Sequence, residues 1–137
     1  MIVRTLADIV DTDRDVRAPT FHSRRLLLAK DGVDFSMNDT ILKAGCEIRM
    51  WYKNHTEAVY CVGGEGELES VETGEVYPLS DGTFYALNDH DKHIVRAKTD
   101  LRLICVFTPP LVGPETHDAD GAYPLLTEEP EPQSEGR

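Results

Sequence analysis

From residue 20 to residue 110 the chain repeats one pattern: a short run in which apolar and polar residues nearly alternate, then a turn. The pattern predicts strands over 25–29, 39–43, 47–52, 58–62, 66–71, 76–79, 83–86, 94–97 and 101–107. These runs are rich in β-branched and aromatic residues. Turn dipeptides separate them: Asp31-Gly32, Ala44-Gly45, Gly63-Gly64, Thr73-Gly74, Asp81-Gly82, Asn88-Asp89 and Thr99-Asp100. Such even spacing predicts an all-β barrel or jelly roll. Residues 6–11 predict one helical turn. Pro109-Pro110 ends the last strand, and 111–126 is a loop-like return segment. No internal repeat is visible.

Alternation assigns faces. In 101–107, Leu103, Cys105 and Phe107 share one face, and Arg102 on the opposite face turns that set inward. In 47–53, Ile48, Met50 and Tyr52 share a face, while Glu47, Arg49, Trp51 and Lys53 share the solvent face.

Length and composition narrow the class. A chain of 137 residues makes one domain that buries about two-thirds of its unfolded surface. No apolar run approaches the roughly 20 residues of a membrane helix. Residues 1–8, Met-Ile-Val-Arg-Thr-Leu-Ala-Asp, do not read as a signal peptide. The three cysteines fit no zinc or redox spacing, so reduced thiols in a cytoplasm are expected. Residues 1–113 hold 18 acids and 13 bases, a balance of −5; from Pro114 onward seven acids face Arg137 alone, a balance of −6. This predicts a domain over 1–126 and a disordered acidic tail over 127–137. Without a basic footprint, nucleic-acid binding is disfavoured. An acidic surface stays hydrated in salt, which is compatible with a salt-stressed cell.

Two blocks carry candidate chemistry. The first runs from Gly45 to Gly64 and holds Trp51, Tyr52, Lys53, His55 and Glu57. The second runs from Gly82 to His93 and holds Tyr85 and His90. Each is strand, turn and new strand, so a small barrel can gather their side chains at one internal point. The spacing Gly45-x5-Trp51-x-Lys53-x3-Glu57-x6-Gly64 resembles the first motif of the cupin barrels, with Trp51 and Lys53 where that motif has two histidines. Glu57, Tyr85 and His93 are the ligands available to rebuild a metal site. An O,O,N set of this kind suits Fe(II) or another divalent first-row ion.

The chain also resembles one cupin family, ectoine synthase, from Met1 to about Leu126. The resemblance lies in Ser23-Arg-Arg-Leu-Leu-Leu, Trp51-Tyr-Lys-Asn-His, Glu57-Ala-Val-Tyr-Cys, Gly64-Glu-Gly-Glu, Glu75-Val-Tyr-Pro, Tyr85-Ala-Leu, Arg96-Ala-Lys-Thr-Asp, Cys105-Val-Phe and His117-Asp-x-Asp-Gly-Ala-Tyr-Pro-Leu. It implies an all-β, single-domain cupin barrel with minor helical turns, a homodimer, and metal ligands Glu57, Tyr85 and His93. The implied reaction is that of a hydro-lyase: N-γ-acetyl-L-2,4-diaminobutyrate closes into ectoine, a cyclic compatible solute, with loss of water. Two departures stand out. Phe21 replaces a tryptophan usual in the family. The cupin register also points positions 51 and 53 inward, against the alternation; a bulge near Lys53 or a changed strand would reconcile the two.

The reaction needs a polarised acetamide carbonyl, a base for the α-ammonium and an acid for the departing oxygen. Tyr52, Glu115 and His117 are the candidates for proton transfer, the last two on the return segment. Arg25 is the candidate fork for the substrate carboxylate. Asn38 and Thr40 are neutral partners, Phe21 and Phe107 are apolar walls, and Cys105 is a pocket-lining thiol. Read singly, Glu57 is a strand-end acid, Tyr85 a barrel aromatic, and His55, His90 and His93 are turn or surface residues; Glu115 and His117 are solvated loop residues. Two other readings compete. A cupin Fe(II) dioxygenase acting on a small amino acid predicts oxygen consumption and a histidine-rich site. A non-catalytic cupin that binds a small zwitterion predicts affinity without turnover. Neither membrane nor nucleic acid is expected as a partner.

Overall fold

The computed structural model describes residues 1–125. The expected tail over 127–137, and the boundary at 126, lie outside the described residues. One helical turn, α1 (Leu6–Ile9), precedes ten strands: β1 (Asp15–Arg17), β2 (Phe21–Leu27), β3 (Ser36–Leu42), β4 (Glu47–Met50), β5 (Thr56–Gly63), β6 (Gly66–Ser70), β7 (Val76–Leu79), β8 (Phe84–Leu87), β9 (His93–Ala97) and β10 (Leu101–Thr108). They form two sheets, β1-β2-β3-β10-β5-β8 and β4-β9-β6-β7. Every strand pair is antiparallel. The all-β jelly-roll expectation therefore holds.

The differences have local causes. The first predicted strand ends at Leu27 because Ala29–Asp31 form a 3-10 turn, in which the Asp31 carboxylate accepts the Leu28 N–H. β1 escaped prediction because its Asp-Val-Arg offers a single apolar residue. β4 stops at Met50, two residues early, since the Trp51 N–H leaves the ladder and donates to Gly121 O at 3.0 Å.

The facing inner sides supply the core. Alternation in β10 buries Leu101, Leu103, Cys105 and Phe107, and β4 buries Ile48 and Met50, with Tyr52 beyond it. Fully burying a side chain such as Val59, Val95 or Leu101 contributes roughly 1.5–3 kcal/mol. Gly64 lets the chain pass from β5 to β6: its φ is +97°, and a Cβ there would lie 2.1 Å from the Asp100 carbonyl oxygen.

Antiparallel register also lines up the polar residues of the larger sheet. Arg25 pairs with Asn38, Asn38 with Cys105, Cys105 with Val59, and Val59 with Tyr85. Directly opposite residues share a face, so these five form one inward row across five strands. The flanking rows place Ser23, Thr40 and Leu103 on one side, and Phe107, Glu57 and Leu87 on the other.

Candidate active site

The polar row opens onto an internal cavity of about 30 Å³. Nine of the twelve residues singled out in the sequence line it: Phe21, Asn38, Thr40, Tyr52, Glu57, Tyr85, Cys105, Phe107 and His117. Arg25, His93 and Glu115 are buried but are not among its lining residues.

Tyr52 and His117 make the central contact. The Tyr52 hydroxyl and His117 Nε2 are 2.7 Å apart, and Met50 Sδ lies 3.2 Å from the same hydroxyl. Burial, reinforced by the nearby positive charge of Arg25, pushes the His117 imidazole down to about 4. Burial also lifts the Tyr52 phenol well above its ordinary value. At neutral pH the pair is an uncharged imidazole beside an uncharged phenol.

Glu57 and Tyr85 lie diagonally on the inner face of β5 and β8. Burial raises the Glu57 carboxyl to about 8 and the Tyr85 phenol well above its ordinary range. His93 begins β9, with its ring centroid 6.5 Å from that of Tyr85. Its Nδ1 lies 2.9 Å from the Asp91 carbonyl oxygen, an acceptor, so Nδ1 holds the proton. The buried Nε2 has no partner, and burial keeps the ring neutral by lowering its proton affinity. A neutral imidazole, oriented through one nitrogen and free at the other, is the form that binds a metal. Tyr85 and His93 also border a second, larger cavity of about 370 Å³ between the β6–β7 hairpin and β8. Among the described residues no three His, Cys, Asp or Glu side chains converge on one point, so a metal held by Glu57 and His93 would need the Tyr85 oxygen as a third protein ligand. The orphaned Nε2 and the two buried oxygen donors fit a metal of the Fe(II) type.

Arg25 and Glu115 are placed otherwise than expected. Arg25 Nε donates to Ser23 Oγ at 3.2 Å and Nη1 to the Gly113 carbonyl at 2.8 Å, leaving Nη2 without a partner. The full fork is therefore not free for a substrate carboxylate; one N–H edge is. Glu115 accepts the Val112 and Gly113 N–H groups at 2.6 and 2.8 Å and stands 3.6 Å from Arg25. Its carboxylate braces the return segment rather than facing the cavity.

The structure adds residues that sequence reasoning passed over. Tyr123 lines the cavity, with its ring stacked on Tyr52 at 5.2 Å and on His117 at 4.7 Å between centroids. Arg25 lies over the same ring at 5.4 Å. His55, read as a turn residue, is buried edge-on against Phe107, with Nδ1 unpartnered. The signal for Tyr123 was its place in an apolar stretch, Gly121 to Leu125, within a segment that is otherwise polar. Trp51 and Lys53 point outward as the alternation predicts, and the early end of β4 resolves the conflict with the cupin register.

The return segment closes the cavity. Besides the Trp51–Gly121 bond, Asn54 Nδ2 donates to the Tyr123 carbonyl at 3.0 Å, and Lys53 Nζ meets Asp120 at 2.6 Å. Gly121 fits only without a side chain, because a Cβ would stand 2.3 Å from the Arg49 carbonyl oxygen.

Two antiparallel sheets around a buried polar row, joined by turns that cross between them, define a cupin. An RmlC-like cupin from Shewanella frigidimarina NCIMB 400 shares this fold at 20% identity, with a TM-score of 0.56 over 67% of this chain and 78% of that one. The likeness to ectoine synthases is far closer. The family model for ectoine synthase matches residues 1–127. L-ectoine synthase of Oceanobacillus iheyensis is 60% identical over 128 residues, covering 93% of this chain and all of the relative. The crystal structure of ectoine synthase from P. lautus aligns with a TM-score of 0.83 at 55% identity, over 96% of this chain and 95% of that one. The chain belongs to the ectoine synthase family.

Proposed function

We propose that this chain closes N-γ-acetyl-L-2,4-diaminobutyrate into ectoine with loss of water, as an L-ectoine synthase and hydro-lyase. The observation that carries the reading is the 2.7 Å Tyr52–His117 pair, held uncharged at the cavity near the partnerless His93 Nε2. In the net reaction the α-nitrogen bonds to the acetamide carbon, the carbon–oxygen bond breaks, and two protons pass from nitrogen to the departing oxygen. The α-ammonium must lose a proton to become nucleophilic; the buried His117 imidazole, a weak base, takes it only in passing and hands it on through the Tyr52 contact. The Tyr52 hydroxyl, in contact with it, delivers a proton to the oxygen. Asn38 Oδ1, buried without a partner, accepts from the ammonium, and Arg25 Nη2 faces the carboxylate. Phe21 and Phe107 wall the curled substrate, and holding it curled removes several kcal/mol of entropic barrier, on the order of that available to oriented intramolecular reactions. Glu57, Tyr85 and His93 would hold Fe(II) or another divalent first-row ion. When bound, the ion supplies Lewis-acid polarisation of the acetamide carbonyl.

The setting is compatible-solute synthesis in the cytoplasm of an osmotically stressed cell, supported by a net charge of −11 that keeps the surface hydrated in salt. A homodimer is supported by the bare edge of β8, where Phe84 is 62% exposed, and by the exposed apolar residues Met1, Ile2 and Val3. An added strand from a second copy would cover that edge.

The decisive experiment is turnover of the acetylated substrate by purified protein with Fe(II), with chelator, and in Glu57→Ala. Ectoine formed only with metal and intact Glu57 is the expected result. Ectoine formed regardless of chelator would overturn the metal assignment, and none from folded, iron-loaded protein would overturn the activity.

A further inference from the structure

His90 lies in the turn between β8 and β9, and no step above uses it. Its φ is +54°, a left-handed conformation at a residue with a side chain. That conformation costs roughly 1–2 kcal/mol away from glycine, so the side chain must be needed where it stands. His90 Nδ1 lies 2.8 Å from the Tyr52 carbonyl oxygen and 3.1 Å from the His55 carbonyl oxygen. Both partners are acceptors, so Nδ1 carries the proton and donates to both.

The two elements joined by this contact hold the whole site. The His90 turn connects Tyr85 on β8 to His93 at the start of β9; the 51–55 turn connects Met50 on β4 to Glu57 on β5. Tyr52 itself lies beyond the end of β4 and outside the sheet ladder. With no ladder bond, the peptide plane of the Tyr52 carbonyl takes its direction from the His90 contact and from the Lys53 N–H, which donates to the Trp51 carbonyl at 2.9 Å, and that plane sets where the Tyr52 ring starts.

We propose that His90 is a positioning residue: its Nδ1–H clamps the Tyr52 and His55 carbonyls, aims the Tyr52 hydroxyl at His117, and ties together the two turns that cross between the sheets beside the site. The inference rests on the reading that Tyr52 and His117 move the protons of ring closure.

His90→Asn and His90→Asp test it as a matched pair. Asparagine places an amide N–H near the position of Nδ1, aspartate has the same shape but only accepts, and both tolerate left-handed backbone. Asparagine is expected to keep near-wild-type turnover. Aspartate is expected to lower kcat on the order of 10- to 100-fold, the scale of a small misplacement of a reacting group, with KM little changed. A second readout needs no metal or substrate: nitrogen NMR of the metal-free wild type is expected to place the His90 proton on Nδ1. An Nε2–H tautomer overturns the proposal. So does an aspartate variant as active as wild type, or equal losses in both variants with matching drops in melting temperature. If the wild type makes no ectoine, the functional reading falls instead; the tautomer and a lower melting temperature of aspartate relative to asparagine then decide the clamp.

Discussion

Two buried carboxylates show how single residues divide between structure and chemistry. Burial raises both, but Asp39 receives hydrogen bonds from Arg102 and Arg24 that hold its carboxyl below the ordinary value. Glu57 has no cation beside it and is pushed to about 8. A carboxyl that burial leaves protonated near neutral pH would have to give up its proton to hold a metal, and perturbed groups in clefts often mark functional sites. His117 yields a pH prediction. Its folded value, about 4, lies below the ordinary 6.5 of an unfolded histidine. Between those values the unfolded chain binds a proton that the docked imidazole refuses. The His117 contribution is therefore complete above pH 6.5 and is lost as pH falls towards 4, by roughly 3 kcal/mol in all at 1.36 kcal/mol per unit. Urea unfolding of wild type and His117→Asn at pH 5 and pH 7 isolates this from His55 and His93, which shift the same way. The difference between the two proteins is expected to shrink at pH 5.

At the scale of elements, the strands form the wall of the site and the return segment packs over it. Gly121→Ala drives a Cβ into the Arg49 carbonyl and forces a side chain onto φ +72°. The turn over 118–123 is expected to dock more weakly by about 1–3 kcal/mol, the range of overpacking penalties. Turnover is expected to fall while the barrel melts near its usual temperature, since β5 and β10 are untouched; a melt lowered in step with activity would contradict this. The strands were legible in the sequence because alternation and turn residues act locally. The face of Tyr52 and the inward set of β10 followed from that alternation, whereas Glu57 and Tyr85 were singled out by the resemblance to the cupin motif. The return segment was not legible in the same way: Glu115, Tyr123 and the burial of His55 depend on contacts with Arg25, Phe107 and one another. No periodicity records such contacts. β1 was missed for a related reason, since a three-residue edge strand takes its shape from β2.

For the whole molecule, the two sheets end in four edge strands, β1 and β8 in one and β4 and β7 in the other. The outer face near β8 exposes Phe84, Tyr60 and Val62, so Phe84→Asp is expected to convert a species of twice the chain mass into monomer by light scattering. A wild type that elutes as a monomer at every concentration would remove the dimer. The 111–125 segment supplies His117 and Tyr123 to the cavity wall, so any displacement of that segment would widen the cavity. Trp51, the only tryptophan in the chain, sits where that segment lands: its amide holds Gly121, and Lys53 and Lys92 lie 5.2 and 4.5 Å from its ring. Lifting the segment strips Asp120 from Lys53 and changes the polarity around one indole. The protein thus carries its own optical gauge, and the colour and lifetime of a single fluorophore report each opening without any label attached.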